Sequence, residues 1–357
     1  MSIFSLTACS KIIDIVTDTE TTIEDTSLPI AENASELPIT SVENNLDERS
    51  LLEEAIKQQH KLHKLGFITN SFTDMNTAFV YYPLHDTFGY SATYEIPNTQ
   101  TSFTFEGGTS FNHSHYESIV DKFAFKQQIN NPYISLLYGK YNDELDEDYY
   151  IVGHDNNMTY ILQIGSEEEG FSEEIVRLIG ESLRSEVEGA FDPLYNNFSI
   201  LLSDIKLPSL NEQRVAIQDI HLSVNTIQDT SDIFMTYLLS EEDIITYQIA
   251  STEPQIEKSN QKANTITLNN GTKVNQFETK SMEQIFQWDD GTNYYTMTVM
   301  LKDDTIIQSD EIIEIIESAQ KDTRTFDDEQ FFQSLSEHPK KTDIDKQLLN
   351  MLEDLNQ

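Results

Sequence analysis

The chain has 357 residues, and its 62 Asp plus Glu against 22 Lys plus Arg give a formal net charge of −40. Such an excess repels phosphate backbones and anionic lipid head groups, which excludes nucleic-acid binding as a main activity. Hydrophobic and aromatic shares of 38% and 10% are too rich for a chain that stays unfolded throughout, and the length accommodates two domains of ordinary size.

Residues 1–9 end in Leu6-Thr7-Ala8-Cys9, which resembles a bacterial lipobox, where a small residue precedes a cysteine that becomes acylated. Acyl chains partition into a bilayer at about 0.8 kcal/mol per buried methylene, so a multiply acylated Cys9 would be a firm anchor. Eight residues precede Cys9 and none is Lys or Arg, so the expectation is a signal that begins upstream of Met1. Residues 10–50 read as an acidic tether. From Ile12 to Glu48 there is no basic residue, and Leu28-Pro29-Ile30 and Leu37-Pro38-Ile39 repeat a motif whose proline disfavours helix and central strand.

Residues 51–190 read as a first α+β repeat. Leu52, Ala55, Ile56, Leu62 and Leu65 mark the apolar face of a helix over Leu51 to Leu65 that stops at Gly66. His60 and His63 then fall on its solvated side, among Lys57, Lys61 and Lys64. Ala78 to Tyr82 and Tyr90 to Ile96 are strand-like runs, and Gly107-Gly108 reads as a hairpin turn inside Phe103 to Phe111. Extra residues around Ser110 to Gln128 distinguish this repeat from the next. The repeat closes with Ile151, an Asp155-Asn156-Asn157 turn and alternating Tyr160, Leu162 and Ile164. A helix follows, with Ser172 as N-cap, Glu173 and Glu174 in the first turn, and Ile175, Ile179 and Leu183 on one face.

Residues 191–322 repeat this order. Val215 to Val224, Ile233 to Leu239 and Ile244 to Ile249 are strands, and Asn270-Gly271 turns between Ile266-Thr267-Leu268 and Lys273-Val274. Trp288 leads into Asp289-Asp290-Gly291, Tyr295, Met297 and Val299 alternate on the return, and Ser309 caps a helix whose stripe is Ile312, Ile316 and Ala319. The shared cap, acidic first turn, stripe and preceding hairpin predict a duplication: two tandem related α+β domains, each a mostly antiparallel sheet closed by a C-terminal amphipathic helix. Residues 323–357 read as a polar linker and a final amphipathic helix on Ile344, Leu348, Met351, Leu352 and Leu355, which docks on the body or meets a partner helix.

Trp288, Asp290, Gly291, Tyr295, Met297, Ser309, Glu311, Ile312 and Ile316 together resemble a domain family of unknown function in Firmicutes, found in extracytoplasmic lipoproteins and anti-sigma-factor ectodomains. Gly153 stands where Trp288 would in the earlier copy. The resemblance implies a Gram-positive, extracytoplasmic setting and brings no catalytic residues with it.

For chemistry, His113-x-His115 on a strand would put two imidazoles on one face, with His85 or His154 as a third ligand to a metal. Asp143, Glu144, Asp146, Glu147 and Asp148 read as a solvated loop, lacking the glycine and final glutamate of a calcium loop. Trp288, Tyr294 and Tyr295 are candidates for a ligand groove or for hairpin packing. No Gly-x-Ser-x-Gly elbow, phosphate loop or dinucleotide fingerprint occurs. The expectation is therefore a non-enzymatic, cofactor-free lipoprotein on the extracellular face of the cell membrane. It is held through lipidated Cys9 and acts as a binding or accessory module towards an envelope protein or peptide. A sensory ectodomain of an envelope-stress pathway and a metal-dependent hydrolase on His113 and His115 are the alternatives.

Overall fold

The computed structural model describes residues 48–67, 74–95, 101–109, 113–141, 148–155, 158–166, 171–185, 205–210, 216–225, 230–239, 243–254, 264–278, 283–301, 309–321 and 341–355. All of them belong to one compact unit, Glu48–Gln357. Cys9 and the expected tether up to Asp47 lie outside the described residues, as do Asp143 to Glu147.

In chain order the elements are α1 (Glu48–Lys61), β1 (His63–Leu65), β2 (Asp74–Tyr82), β3 (Thr87–Glu95), β4 (Thr101–Gly108), α2 (His113–Val120), β5 (Gln127–Ile129), β6 (Leu136–Lys140), β7 (Tyr149–Asp155), β8 (Met158–Ser166), α3 (Glu173–Glu181) and β9 (Leu183–Ser185). There follow β10 (Ala216–Asn225), β11 (Thr230–Leu238), β12 (Ile244–Ala250), β13 (Asn264–Thr267), β14 (Lys273–Glu278), β15 (Gln284–Asp289), β16 (Tyr294–Met300), α4 (Ser309–Lys321) and α5 (Asp343–Asp354). The protein is α+β, and mostly antiparallel sheet.

Among the described residues, fourteen strands form one sheet in the order β13-β14-β15-β16-β12-β11-β10-β2-β3-β4-β8-β7-β6-β5, while β1 and β9 pair separately. Read outwards from the central β2–β10 pair, both sides run first, second, third, seventh, sixth, fifth and fourth strand. The two sides meet through an antiparallel register in which Ile220 faces Tyr81 and Leu222 faces Phe79, so both contribute to one core face.

Alternation explains the sheet. Ile233, Ile249 and Tyr295 lie in one cross-strand row, Met235, Tyr247 and Met297 in the next, and Tyr237, Ile245 and Val299 in a third, all buried. On the other side the rows are Tyr94, Phe103 and Ile164, then Ala92, Phe105 and Leu162. Each large side chain so buried contributes about 1.5–3 kcal/mol. Helix α3 covers β5, β6 and β7 with Ile175, Val176, Leu178 and Ile179, and α4 buries Ile312, Ile316 and Ala319 in the same core. A second, smaller cluster lies on the opposite face, where Ile119 and Phe123, on and just after α2, meet Tyr150, Val152 and Ile161.

Four expectations are corrected. The first helix ends at Lys61 rather than Leu65, because His63 to Leu65 extend to pair with Leu183 to Ser185; this pairing also takes Leu183 off α3. His60 and His63 are buried rather than solvated. Gly107 and Gly108 do not form a turn: they continue β4 opposite Tyr90 and Gly89, where a Cβ on Gly107 would sit 2.8 Å from the Tyr160 ring. His113 and His115 open α2 instead of sharing a strand face. The expectation of a shared metal rested on the period of two of a strand, which a helix does not have.

The final helix docks on the body. Thr342 and Asp345 close a capping box at the start of α5, and the Asp345 carboxylate also accepts from both terminal nitrogens of Arg184 at 3.0 and 2.7 Å. Arg184 donates as well to the Gly66 carbonyl at 3.2 Å. Both partners are buried, so α5, packed against α3, is tied to the β1–β9 pair by a desolvated, bidentate ion pair.

Candidate ligand-binding cleft

The segment joining β5 to β6, residues 130–135, begins Asn130-Asn131-Pro132 and is organised by Asn131. Its side-chain amide donates to the carbonyls of Gly180 at 2.8 Å and Leu183 at 2.9 Å, at the end of α3, while its Oδ1 accepts from the backbone of Tyr133 at 2.8 Å and Ile134 at 3.2 Å. Carbonyls at a helix C-terminus lack partners within the helix, and here one side chain satisfies two backbone carbonyls at that end while shaping the loop. Ile129 and Ile134 anchor the segment in the core on either side. The strand edge is pinned too: the Tyr138 hydroxyl lies 2.8 Å from Gln127 Oε1 and 3.0 Å from Glu173 Oε2.

This frame leaves Tyr133 projecting, 43% exposed. Beside it opens a cleft of about 580 Å3 lined by Gln128 to Ser135 and by His154 of β7. Gln128, Asn130 and Ser135 are exposed, and their side chains make no hydrogen bond within the described residues. His154 is half-buried, its Nδ1 sharing a hydrogen bond with Thr159 Oγ1 at 3.2 Å and its ring 5.8 Å from that of Tyr116. Among the described residues, no carboxylate, ammonium or guanidinium lines the cleft.

Histidines support the wall rather than the opening. His63 shares a hydrogen bond with the Tyr160 hydroxyl at 3.2 Å, and its ring centroid lies 6.4 Å from Tyr133. His60 is buried on α1, where desolvation, reinforced by the Lys64 ammonium, pulls its pKa down to about 2. It is therefore neutral across the physiological range.

The other candidates from sequence do not converge. His85 sits exposed in the turn between β2 and β3, and β3 and β7 are three strand spacings apart, about 14 Å, which separates it from His154. Trp288 and Tyr295 are buried on the core face, stacked at 5.6 Å and 11°, with Tyr247 tilted against the indole. Tyr294 pairs with Asp289 and points to the other face, so the three rings do not line one groove. Burial pushes the Tyr295 phenol well above its ordinary range, and its hydroxyl donates to Asp290 Oδ2 at 2.9 Å. Asp290 in turn accepts from the backbone of Thr292 and Asn293 and holds the hairpin turn. Asn131, Tyr133 and the cleft were missed in sequence; the Asn-Pro dipeptide, a turn signal, was the mark that pointed to them.

Comparison with protein-family models, with curated proteins and with solved structures returns no match to this chain.

Proposed function

We propose that the protein is a non-enzymatic binding module of a bacterial cell envelope, carried on the extracellular face of the membrane by acylated Cys9, with the residues from 10 up to the start of α1 at Glu48 as tether. The body is then two tandem related α+β domains, the first closed by α3 and the second by α4. The repeated strand order and the two stripes Ile175/Ile179 and Ile312/Ile316 support the duplication.

The observation that carries the binding reading is the open cleft beside Tyr133. Its loop is fixed by four hydrogen bonds at a single asparagine side chain, two donated and two accepted, while three polar side chains at its rim have no partner among the described residues. A surface ordered in advance with unsatisfied polar groups loses little conformational entropy on meeting a ligand. The acidic surplus and the lipobox-like Leu6-Thr7-Ala8-Cys9 support an envelope setting.

Intact mass and membrane partitioning of the protein from its native cell test the placement. The expected species begins at an acylated Cys9 and sediments with membranes until detergent releases it. A soluble species retaining an unmodified Cys9 overturns the lipoprotein reading.

A further inference from the structure

We propose that the cleft framed by Gln128, Asn130, Tyr133, Ser135 and His154 is a subsite for an uncharged oligosaccharide; the proposal rests on the reading of the chain as a binding module and names the ligand class of that site.

The first argument is charge. Almost a quarter of the chain is Asp, Glu, Lys or Arg, yet among the described residues none of these lines the cleft. A phosphate, a carboxylate or a peptide terminus would find no counter-charge there, and an anion would also meet the field of a chain carrying −40. A cation is drawn to the protein as a whole but has no reason to choose this place.

The second argument is hydrogen-bond inventory. The carboxamides of Gln128 and Asn130 each present a planar acceptor oxygen and a two-proton donor, and the Ser135 hydroxyl does both. That is the complement of a ligand whose groups are themselves both donor and acceptor, as vicinal ring hydroxyls are. An extended peptide would instead call on a row of backbone groups and on apolar pits for alternate side chains. The apolar lining offers no such pit, since Ile129 and Ile134 are spent inside the core and only Pro132 and Tyr133 face outwards.

The third argument is the exposed ring. Tyr133 is one of two large hydrophobic side chains exposed among the described residues, and it is held by the Asn131 bond to its own backbone amide. A tyrosine combines an apolar face with a polar tip. A pyranose ring has the matching division, with axial C–H groups on one face and hydroxyls at its rim, so it can lie on Tyr133 while the amides take the rim. At about 580 Å3 the cleft accommodates two or three sugar rings, within the ordinary size of small-ligand sites. Its openness and lack of charge place the expected affinity in the range of about 0.1–1 mM.

The test is titration of the purified full chain, followed by amide chemical shifts and by calorimetry, with three neutral tetrasaccharides: chitotetraose, cellotetraose and maltotetraose. At least one is expected to bind saturably, with shifts confined to residues 128–135 and 154. Tyr133→Ala is expected to weaken binding at least about tenfold and Gln128→Ala several-fold, both at exposed positions that leave the fold intact. Absence of binding by all three up to about 10 mM overturns the proposal, as does binding indifferent to Tyr133→Ala. Mass analysis of the sugar after the titration separates the two readings. An intact tetrasaccharide is expected. A shortened one keeps the subsite and overturns the non-enzymatic module, whereas membrane-bound protein that binds no sugar keeps the module and overturns the subsite.

Discussion

The two sides of the sheet share one strand order and differ in what fills the place under the fourth-to-fifth strand connection. On the N-terminal side that place belongs to Gly153, paired with Tyr160; on the C-terminal side it belongs to Trp288, paired with Tyr295. A Cβ on Gly153 would stand 2.5 Å from Leu136 Cδ2 and 3.1 Å from Ile134 Cδ1. The volume that the indole occupies on one side is thus filled on the other by the β5–β6 segment dipping in. The C-terminal side connects β13 to β14 by Leu268, itself buried in the core, and an Asn270-Gly271 turn with Gly271 at φ 89°. On the N-terminal side Ile134 of the connection and Leu136 at the start of β6 both go into the core, and Tyr133 is left exposed at the crest between Asn131 and Ile134.

Breaking the tie of the last helix to the N-terminal side gives the largest expected effect. Asp345→Ala removes a buried carboxylate and strands the Arg184 guanidinium, which costs about 3–5 kcal/mol. Urea unfolding measures it, and Arg184→Met combined with Asp345→Leu is expected to recover most of the loss, since no uncompensated charge then remains. A loss below about 1 kcal/mol for Asp345→Ala would mean that α5 is not held by this pair.

Putting a side chain at Gly153 tests the exchange itself. Gly153→Leu is expected to cost about 3 kcal/mol and to shift the amide resonances of residues 130–135, because Leu136 and Ile134 have nowhere to retreat in a packed core. Trp288→Gly removes the indole that fills the matching place on the other side, at about 3–5 kcal/mol. If Gly153→Leu were neutral, the dip of the connection would not depend on the glycine.

His60 adds a pH dependence to the N-terminal side. Its folded pKa, about 2, lies below the unfolded value of 6.5, so the unfolded chain takes the proton first. The stabilisation is complete above pH 6.5 and is lost as pH falls from there towards 2, at up to about 1.4 kcal/mol per pH unit. Comparing the chain with His60→Leu by urea unfolding at pH 7 and pH 5 isolates the term from that of the many carboxylates. The parent is expected to lose about 1–2 kcal/mol more than the variant over that interval; equal losses would place a charged or solvated imidazole there.

What the sequence made legible follows the range over which each interaction acts. The strands of alternating Tyr295, Met297 and Val299, the Asp289-Asp290-Gly291 turn and the stripe of α4 are set by neighbours a few residues away, and they lie where periodicity put them. The pairing of His63 to Leu65 with Leu183 to Ser185, and of Arg184 with Asp345 161 residues on, has no local sign, so a helical face was read straight through Leu65. His113 and His115 carried an alternating pattern too short to tell strand from helix. The cleft was hidden for a related reason: its shape depends on Asn131 reaching the end of α3, and only the turn chemistry of Asn131-Pro132 was local.

The outer face offers the smallest effect and an asymmetric one. Tyr150, Val152 and Ile161 on the N-terminal side are covered by α2 and the residues just after it, and the positions matching them in strand order on the C-terminal side are Ile285, Gln287 and Thr296. The amide of Gln287 donates to Thr296 Oγ1 at 3.3 Å and to the Pro254 carbonyl at 3.4 Å, a polar lattice suited to a face that no counterpart of α2 covers among the described residues. Val152→Gln buries an amide under α2 without partners, at about 1–3 kcal/mol. Gln287→Val with Thr296→Ile copies the N-terminal pattern and is expected to change stability by no more than about 0.5 kcal/mol, because the gain in strand propensity offsets the lost hydrogen bonds. Its effect falls instead on solubility: the added apolar groups join half-buried Ile285, and sedimentation is expected to show more concentration-dependent self-association than in the parent. A double variant that associates no more than the parent would mean that this face is shielded, and the contrast between a helix-covered apolar side and a polar side without a covering helix among the described residues would no longer hold.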